Sequence, residues 1–456
     1  MEKATSAKPP WTKPQWQRRE KPVSLPENLT FTEWRTDSPI ELQAAKERIT
    51  ALEATNRWEL LKKMVNPYEM VYTHEDTNFH PSVVVIKPLS RSYFKLIEML
   101  DVLQFFERLP KQTPKIRTAH IAEGPGGFIQ AIADLTERNK KILQLATAMT
   151  LKPTDQHVPG WRRASGFLHH HCEVRLHYGA DGSGDVYKTA NQDSFVEAAG
   201  TGINLFTADG GFDFSVNYGI QEQRVFNLLV CSATTGLRCL SQEGCFVLKL
   251  FDVFSESTMI LTALMARCFS EWTLYKPAMS RPCNSERYFL GRGFKGLPPG
   301  ILKFLMEIQR QAANSLYPSG ATEVLSPEEL AYMKSHVSAT TTEQLHSISL
   351  AEHYANHSEE WYSTQLPRDF ATSLAWCQKF RVPYQVTKPS SVCPVVYTSA
   401  PAVSLQSPLP GDDLNCLVPS GPTSSTSYLD CSGQSYHLSP FQRDGDNHEQ
   451  TRGAGP

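Results

Sequence analysis

Two lysines and two carboxylates each end or interrupt an apolar segment of this chain: Lys95, Asp209, Lys249 and Glu286. Lys249 lies in the run from Cys245 to Phe251, and all six of the remaining residues in this run are apolar. A buried ammonium costs several kcal/mol unless it is paired or neutral, so a lysine on such a strand is rarely structural. Because burial lowers the pKa of a lysine, Lys249 is a candidate for proton transfer near neutral pH. The alternative is a strand end, from which the side chain reaches water.

A glycine-rich turn is the second feature, and it runs from Glu123 to Phe128 with the sequence EGPGGF. The apolar run before it, residues 116–122, is typical of a buried parallel strand. The apolar residues after it, from Phe128 to Leu135, recur at helical spacing. A strand that turns through glycines into a helix presents backbone N–H groups at the edge where α/β folds bind nucleotide-like ligands. Such turns also occur for packing, so the turn alone is not specific.

Five separated segments together resemble the FtsJ-like ribose 2′-O-methyltransferases over about residues 88–295. In chain order they are SRSYFK (Ser90–Lys95), PGGF (Pro125–Phe128), AD (Ala208–Asp209), VLKLF (Val247–Phe251) and SERYFLGRGF (Ser285–Phe294). This family uses a Lys-Asp-Lys-Glu tetrad on a Rossmann-like fold that binds S-adenosylmethionine. The surrounding sequence, including KMVNPYE from Lys63, is most similar to cap methyltransferase-like proteins of large DNA viruses and to eukaryotic cap ribose methyltransferases.

The resemblance implies a catalytic tetrad of Lys95, Asp209, Lys249 and Glu286, with Lys249 as the base. A ribose 2′-hydroxyl is a poor nucleophile at neutral pH, so it must be aligned with the methyl group and relieved of its proton. Burial and the charge of Lys95 are expected to lower the pKa of Lys249. Asp209 would orient Lys249 and complement the sulfonium charge, while Glu286 would position Lys95 or the ribose.

The residues that the resemblance assigns to S-adenosylmethionine are Glu123, Gly124, Pro125, Gly126, Gly127, Phe128, Asp185 and Asp209. The family's first strand usually ends in an acidic residue; His120 and Ala122 cannot supply that charge, so Glu123 is expected to carry it. A strand over 142–149 should end in an acid for the cofactor ribose, but Thr150 to Lys152 follow it instead. Asp185 is the candidate for the adenine contact. Asp181 is the alternative, and an ordinary Gly-Asp turn is the simpler interpretation.

Composition indicates an intracellular enzyme. The chain has 456 residues, 40% of them hydrophobic, and ten cysteines without a Cys-x-x-Cys pair, which favours reduced thiols in the cytoplasm or nucleus, or in the host cytoplasm if the protein is viral. No secretory leader and no membrane span are predicted. A net charge of −2 does not exclude a local basic groove. The run of three histidines at 169–171 is not expected to bind a metal, because adjacent strand residues point to opposite faces.

The predicted fold is α/β, a Rossmann-like methyltransferase with a mostly parallel twisted sheet flanked by helices. Its predicted parts are a disordered basic tail (1–30), a helical lead-in (31–87), the FtsJ-like domain (88–295), a helical extension (296–389) and a disordered Ser/Pro-rich tail (390–456). A capping box at Ser38–Glu41 should begin a helix in the lead-in. The aromatic residues between Trp361 and Tyr384 are expected to pack an accessory helix, although they could also stack on a methylated guanine.

Capped mRNA is the expected substrate, because the lead-in and the extension exceed what a minimal ribosomal RNA enzyme needs. Ribosomal RNA remains the alternative substrate. A non-catalytic RNA- or partner-binding protein on the same fold is the alternative from another class, to which the missing acid after residue 149 would point. A nicotinamide-dependent dehydrogenase is disfavoured, because the turn lacks the Gly-x-Gly-x-x-Gly spacing and the ribose acid that follows it.

Overall fold

The computed structural model describes residues 14–18, 25–54, 56–73, 79–110, 112, 114–153, 160–211 and 220–386. The Ser/Pro-rich tail from 390 onward and most of the basic arm lie outside these residues. All described residues fall within one unit that ends at Cys393. The predicted boundaries between lead-in, domain and extension stay predictions.

Ten strands are described. They are β1 (Gln17–Arg18), β2 (Thr30–Thr32), β3 (Lys115–Ile121), β4 (Ile142–Met149), β5 (Val174–His177), β6 (Ile203–Ala208), β7 (Leu240–Leu250), β8 (Phe269–Tyr275), β9 (Arg287–Phe294) and β10 (Tyr317–Ser319). Eight of them form one sheet in the order β1-β8-β9-β7-β6-β3-β4-β5, and β2 pairs with β10. The predicted strand over 142–149 is confirmed to the residue.

The α-helices surround this sheet. They are α1 (Ile40–Glu53), α2 (Trp58–Met64), α3 (Ser92–Leu103), α4 (Phe105–Arg108), α5 (Gly127–Arg138), α6 (Ser165–His170), α7 (Thr189–Ala199), α8 (Gln221–Cys239), α9 (Glu256–Ala266), α10 (Pro299–Ala312), α11 (Ala321–Val324), α12 (Pro327–Tyr354), α13 (Ser358–Glu360) and α14 (Leu366–Phe380). Short 3₁₀ turns cover Glu69–Val71 and Arg162–Ala164, and a π-helix covers Trp361–Gln365. Among these helices, none is long and apolar enough to cross a membrane.

The predicted α/β fold with a mostly parallel sheet is confirmed. Strands β5, β4, β3, β6 and β7 run parallel, whereas β9, β8 and β1 continue the sheet in antiparallel pairing. After β3 the chain builds β4 and β5 on one side and then returns to place β6 on the other. The carboxyl ends of β3 and β6 therefore border the switch point at which open α/β sheets bind ligands.

Two large apolar clusters bury the two faces of the sheet. One joins β-strand residues to α8, α9 and α10, with Phe206 and Leu264 fully buried. The other joins them to α3 and α5 and also to α1, α2 and the end of α12. The lead-in and the extension thus share the same core as the central sheet.

The N-terminal elements differ from the prediction in two ways. The predicted capping box is wrong, because α1 begins at Ile40 after Pro39, and no side chain caps it. Residues 14–18, part of the arm predicted to be disordered, instead add the edge strand β1. Trp16 holds this strand in place by stacking on the guanidinium of Arg292, 3.9 Å from the ring centre.

The C-terminal aromatic residues pack inside the protein, as expected. Trp361 and Trp376 are 1% and 0% exposed, and Phe380 is also buried. The indole Nε1 of Trp376 donates to the buried carboxylate of Glu98 on α3 at 3.2 Å. In the predicted helical extension, α12 runs on to Tyr354, because no proline or glycine interrupts it after the capping box of Ser326 and Glu329.

Candidate functional site

The four predicted catalytic residues come from four separate elements that meet at the carboxyl edge of the sheet. Asp209 directly follows β6, Lys249 is the penultimate residue of β7, Glu286 directly precedes β9, and Lys95 is in the first turn of α3. Parallel strands bring their carboxyl ends to the same edge, and the antiparallel β9 begins where β7 ends. The pairing of Lys249 with Tyr288 in the ladder places Glu286 beside this group.

The tetrad consists of two ion pairs. Lys95 Nζ lies 2.6 Å from Glu286 Oε1, and Lys249 Nζ lies 3.2 Å from Asp209 Oδ1. All four side chains are largely buried, with 10–13% of each exposed. The ammonium of Lys249 also lies over the ring of Phe251, at 5.6 Å from its centre.

The protonation of Lys249 differs from the prediction. Burial acts to lower the pKa of Lys249, but the carboxylates of Asp209 and Glu286 outweigh it, so this pKa lies above its usual value. The expected lowering of the pKa of Lys249 is therefore wrong for the protein without bound ligands. Burial and Lys95 were expected to dominate this pKa, but the two carboxylates outweigh them. Glu286 is itself buried, yet Lys95 and Lys249 lower its pKa to about 2.

Tyr288 is a site residue that was not predicted from the sequence. Its hydroxyl donates to Asp209 Oδ1 at 2.7 Å, and the residue is fully buried. Burial and the charges of Asp209 and Glu286 hold the pKa of Tyr288 well above its usual value, so the hydroxyl stays a donor. The signal was available in the sequence, since residues two apart on a strand face the same side and Tyr288 follows Glu286 by two.

A cavity of about 560 Å³ opens at this edge of the sheet, a volume suited to a nucleotide-sized ligand. It is lined by residues at or just after the carboxyl ends of β3, β4, β6 and β7, by the loop after β5, by α8 and by the residue before β9. These residues are Ile121, Ala122, Gly124, Met149, Thr150, Leu151, Gly184, Asp185, Val186, Tyr187, Asp209, Gly210, Gly211, Leu228, Lys249, Phe251 and Glu286. Three of the tetrad residues thus face the cavity. Tyr187 and Leu151 are 41% and 46% exposed beside it, an unusual exposure for large apolar groups.

Of the residues predicted to hold the cofactor, Gly124, Asp185 and Asp209 line this cavity. Asp185 Oδ1 accepts the backbone N–H of Tyr187 at 2.9 Å, which orients its carboxylate. The alternative residue, Asp181, instead bonds Ser183, Lys188 and Asn191 within its own loop. The position after β4 holds Thr150 and Leu151, so the acid expected for a cofactor ribose is absent from it.

The expectation that Glu123 faces the cofactor differs from the structure. Its carboxylate is 1% exposed and accepts hydrogen bonds from Thr207 Oγ1 and His120, 3.1 Å away at Nδ1. His120 Nε2 also contacts Thr118 Oγ1 at 2.7 Å, which completes a buried polar group beneath the sheet edge. Burial raises the pKa of Glu123 despite the nearby His120. The Glu123 carboxylate therefore accepts hydrogen bonds from buried donors in the interior and does not line the cavity.

The rest of the glycine turn also serves packing. A Cβ on Gly127 would lie 2.3 Å from the hydroxyls of Ser90 and Ser92, and one on Gly126 would meet the ring of Trp161 at 3.3 Å. Phe128 is fully buried, and Pro125 follows a cis peptide bond within the turn. None of these four lines the cavity. The closest backbone approach at the cavity is elsewhere, at Gly184, where a Cβ would lie 2.0 Å from the carbonyl oxygen of Thr150.

Comparison with known proteins finds similar methyltransferases. The profile of the FtsJ-like methyltransferase family matches residues 88–294. The cap-specific mRNA (nucleoside-2′-O-)-methyltransferase 1 of Xenopus laevis is 29% identical over 54% of this chain and 29% of its own length. Proteins of the same name are 27% identical in Dictyostelium discoideum, over 70% of this chain and 43% of that one, and 31% identical in Trypanosoma cruzi, over 46% and 58%.

These relatives are eukaryotic, so they do not support the resemblance to viral proteins. The chain spans less than half the length of the Xenopus and Dictyostelium relatives. A solved ribosomal RNA methyltransferase of Plasmodium falciparum has a TM-score of 0.31 and 18% identity, covering 45% of this chain and 98% of that one, and a likeness at this level does not discriminate between substrates. Residues 88–294 of this chain are thus the part that is similar to FtsJ-like methyltransferases.

Proposed function

We propose that this protein transfers a methyl group from S-adenosylmethionine to a ribose 2′-hydroxyl near the start of capped mRNA. The observation that carries this proposal is the meeting of Lys95, Asp209, Lys249 and Glu286 at the cavity edge. The cap-specific relatives support the choice of capped mRNA. The buried cysteines of the described part, including Cys231 and Cys245, agree with a reducing compartment such as the cytoplasm or nucleus.

The cavity residues fit S-adenosylmethionine. Gly184 and Gly211 line the cavity without side chains of their own. A Cβ on Gly184 would meet the carbonyl oxygen of Thr150 at 2.0 Å, so only glycine lets these two cavity segments pack together. Asp185 offers a carboxylate beside Tyr187 for an adenosine, and Asp209 offers one for a cationic group. When bound, S-adenosylmethionine supplies an electrophilic methyl group on a positively charged sulfur. The ribose hydroxyls would rely on Thr150 and backbone groups, because no acid follows β4.

In this proposal Lys249 aligns the ribose 2′-hydroxyl and receives its proton. The ammonium form, which Asp209 and Glu286 favour, first orients the hydroxyl oxygen as a hydrogen-bond donor. The positive charge of S-adenosylmethionine, when bound next to Lys249, would lower the pKa of this lysine. It would thereby increase the neutral fraction of Lys249 that accepts a proton. Glu286 holds Lys95 in place, and Tyr288 fixes the carboxylate of Asp209. No step requires a metal.

The test is incubation of the full chain with methyl-labelled S-adenosylmethionine and one of three RNAs: a capped short RNA, the same RNA without its cap, and ribosomal RNA. Label should enter the capped RNA and survive as a nuclease-resistant 2′-O-methyl linkage, whereas the matched Lys249→Ala protein should transfer label at least about 100-fold more slowly. Transfer to ribosomal RNA alone would favour the alternative substrate. Cofactor and RNA binding without any transfer would favour the non-catalytic alternative.

A further inference from the structure

A fully buried carboxylate, Glu98, stands on α3 one turn after the tetrad lysine. It is 0% exposed and does not line the cavity, so it has no direct part in the chemistry proposed above. Glu98 follows Lys95 by three residues, and side chains at this spacing lie on the same face of a helix. One face of α3 therefore carries both a tetrad lysine and a buried acid.

The carboxylate of Glu98 is held by donors from outside α3. Its Oε1 accepts the hydroxyl of Tyr275 at 2.5 Å and the backbone N–H of Ala278 at 2.7 Å. Its Oε2 accepts the indole N–H of Trp376 at 3.2 Å. The three donors belong to the end of β8, to the connection from β8 to β9, and to α14. Three separate parts of the chain thus meet at one carboxylate.

The same face of α3 is attached to both ends of the connection from β8 to β9. Glu98 bonds this connection near its beginning, at Ala278. Lys95 pairs with its last residue, Glu286, at 2.6 Å. The two ends are also bonded to each other, because Lys276 Nζ donates to the carbonyl oxygen of Glu286 at 3.0 Å. A shift of the beginning of the connection against α3 would therefore change the position of Glu286 relative to Lys95.

Helix α14 contacts α3 beside the tetrad lysine. Besides the hydrogen bond from Trp376 to Glu98, the ring of Trp376 meets that of Phe94 edge-on, with the ring centres 5.8 Å apart. Phe94 directly precedes Lys95. Helix α14 lies outside residues 88–294, the part that matches the FtsJ-like profile. A segment beyond the matched part thus reaches the helix that carries a tetrad residue.

Stability alone does not account for this buried acid. Burial raises the pKa of Glu98, so its donors do not fully offset the loss of hydration. Replacing such a group by a well-packed apolar residue is often neutral or stabilising. What the carboxylate supplies is direction, because its two oxygens fix several donors at defined angles. Direction matters in a group transfer, where a misplacement of about 1 Å can lower the rate about 100-fold.

We propose that Glu98 is a positioning residue for the pair of Lys95 and Glu286. Trp376, from the C-terminal extension, holds the carboxylate of Glu98 in the orientation that this role requires. The inference rests on the proposed function, since it names residues that act through the tetrad. Glu98 fixes the separation between α3 and the connection from β8 to β9, and the ion pair depends on that separation.

The first measurement is steady-state methylation of capped RNA by the full chain. Glu98→Gln should lower kcat by about 100-fold and Trp376→Phe by about tenfold, while KM for RNA and cofactor affinity stay unchanged. An amide in place of the carboxylate presents an NH₂ group to donors that need an acceptor. Trp361→Phe is the matched control, because it removes the indole N–H of another buried tryptophan that does not bond Glu98. This control should keep the wild-type kcat.

Dependence on Lys95 separates positioning from a general loss of packing. In a Lys95→Ala protein, Trp376→Phe should cause no further fall in kcat, because the group that it helps to position is already absent. A defect in packing would instead lower kcat by the same factor in the wild-type and the Lys95→Ala backgrounds.

A second measurement does not depend on methyl transfer. The free energy of unfolding in urea at pH 7 is compared for Trp376→Phe, Glu286→Gln and the protein with both changes. If Trp376 acts on the ion pair, the loss in the double variant should be smaller than the sum of the two single losses. The combination of Trp361→Phe with Glu286→Gln should be additive.

A wild-type kcat in both Glu98→Gln and Trp376→Phe would overturn the inference, even if the wild-type protein methylates capped RNA. An equal fall in kcat for Trp376→Phe and Trp361→Phe would overturn it as well. If Glu98→Gln does not fold, the milder Trp376→Phe decides between these results. Non-additive losses of stability in a protein that transfers no methyl group would overturn the proposed function and support the positioning of the ion pair.

Discussion

The tetrad and the glycine turn both lie at the carboxyl edge of the sheet, but they differ in what their residues face. The side chains of Lys95, Asp209, Lys249 and Glu286 converge on each other within ion-pair distance, and three of them face the cavity. In the turn, only Gly124 lines the cavity. Glu123 points into the interior, and Gly127 allows α5 to approach the start of α3.

The difference follows from where each group stands on its element. A residue at a strand end faces whatever the neighbouring strand ends face, so charged side chains there meet at one edge. Residues in a tight turn are directed by local backbone angles; Ala122 has a positive φ of 55° and Gly126 one of 105°. A glycine turn of the kind that holds nucleotides in other α/β folds can therefore serve packing in this one. Two buried carboxylates show the result, since the pKa of Glu286 is lowered and that of Glu123 is raised.

The largest expected effect is at Lys249. Lys249→Ala should lower kcat by about 100- to 10 000-fold, the usual range for a lost proton-transfer group, while cofactor affinity stays close to wild type. Lys249→Arg should fail equally, because a guanidinium remains protonated and cannot accept a proton. Single-turnover methylation and calorimetric cofactor binding measure the two effects. Near wild-type rates in either variant would remove Lys249 from the mechanism.

Exchanging each buried carboxylate for an amide tests the comparison directly. Glu286→Gln should lower kcat by about 100-fold, because Lys95 loses its partner, whereas Glu123→Gln should leave kcat near wild type. Glu286 has a folded pKa of about 2, below its usual 4.5, so it contributes stability above about pH 4.5 that is lost as the pH falls towards 2. Urea unfolding between pH 7 and 3 should show a weaker acid dependence for Glu286→Gln. Equal kinetic losses in both variants would contradict the contrast.

Two glycine substitutions separate the cavity from the turn. Gly184→Ala should weaken S-adenosylmethionine binding by about tenfold, because its Cβ would push on the carbonyl of Thr150 at the cavity wall. Gly127→Val should instead destabilise the fold by about 1–3 kcal/mol, through contact with Ser90 and Ser92. Calorimetry and thermal unfolding distinguish them. A stable Gly127→Val protein that has lost cofactor affinity would show that the glycine turn does form part of the cofactor site.

The pH dependence of catalysis should shift modestly when Asp209 is neutralised. Because Asp209 and Glu286 raise the pKa of Lys249, its neutral fraction in the free protein is small at neutral pH and grows as pH rises. Asp209→Asn removes one of these charges, so the rising limb of kcat/KM should move to lower pH by about one unit in the residual activity. The matched Asp185→Asn variant should not move it. A shift to higher pH would show that Asp209 does not set the protonation of Lys249.

The smallest effect is expected at the C-terminal tail, residues 390–456, which lies outside the described residues. Its Ser/Pro-rich sequence lacks the apolar periodicity of a core face, so its deletion should leave melting temperature and activity on short RNA unchanged. Deleting residues 1–13, which leaves β1 and Trp16 in place, should mainly reduce RNA affinity and its salt dependence. A large fall in melting temperature without residues 390–456 would show that this tail packs.

The sequence by itself determined the parallel sheet and the identity of the tetrad candidates. The strand over 142–149 and the apolar run before the glycine turn were predictable because apolar runs bounded by polar residues are typical of central parallel strands. Asp209 and Lys249 were identified because each stands at the end of such a run. Helix limits were less accurate in the lead-in, where α1 begins without the predicted capping box and a separate α2 follows it.

Only the tertiary structure decided the direction of Glu123 and the protonation of Lys249. Both depend on groups from other elements: Thr207 meets Glu123 across 84 residues, and the carboxylates of Asp209 and Glu286 raise the pKa of Lys249 against the effect of burial. A pKa in a buried site is the balance of desolvation against charges on neighbouring elements, and spacing along one strand does not report those charges. Local pattern specifies which elements form, whereas the packing of those elements decides which side chains share a site.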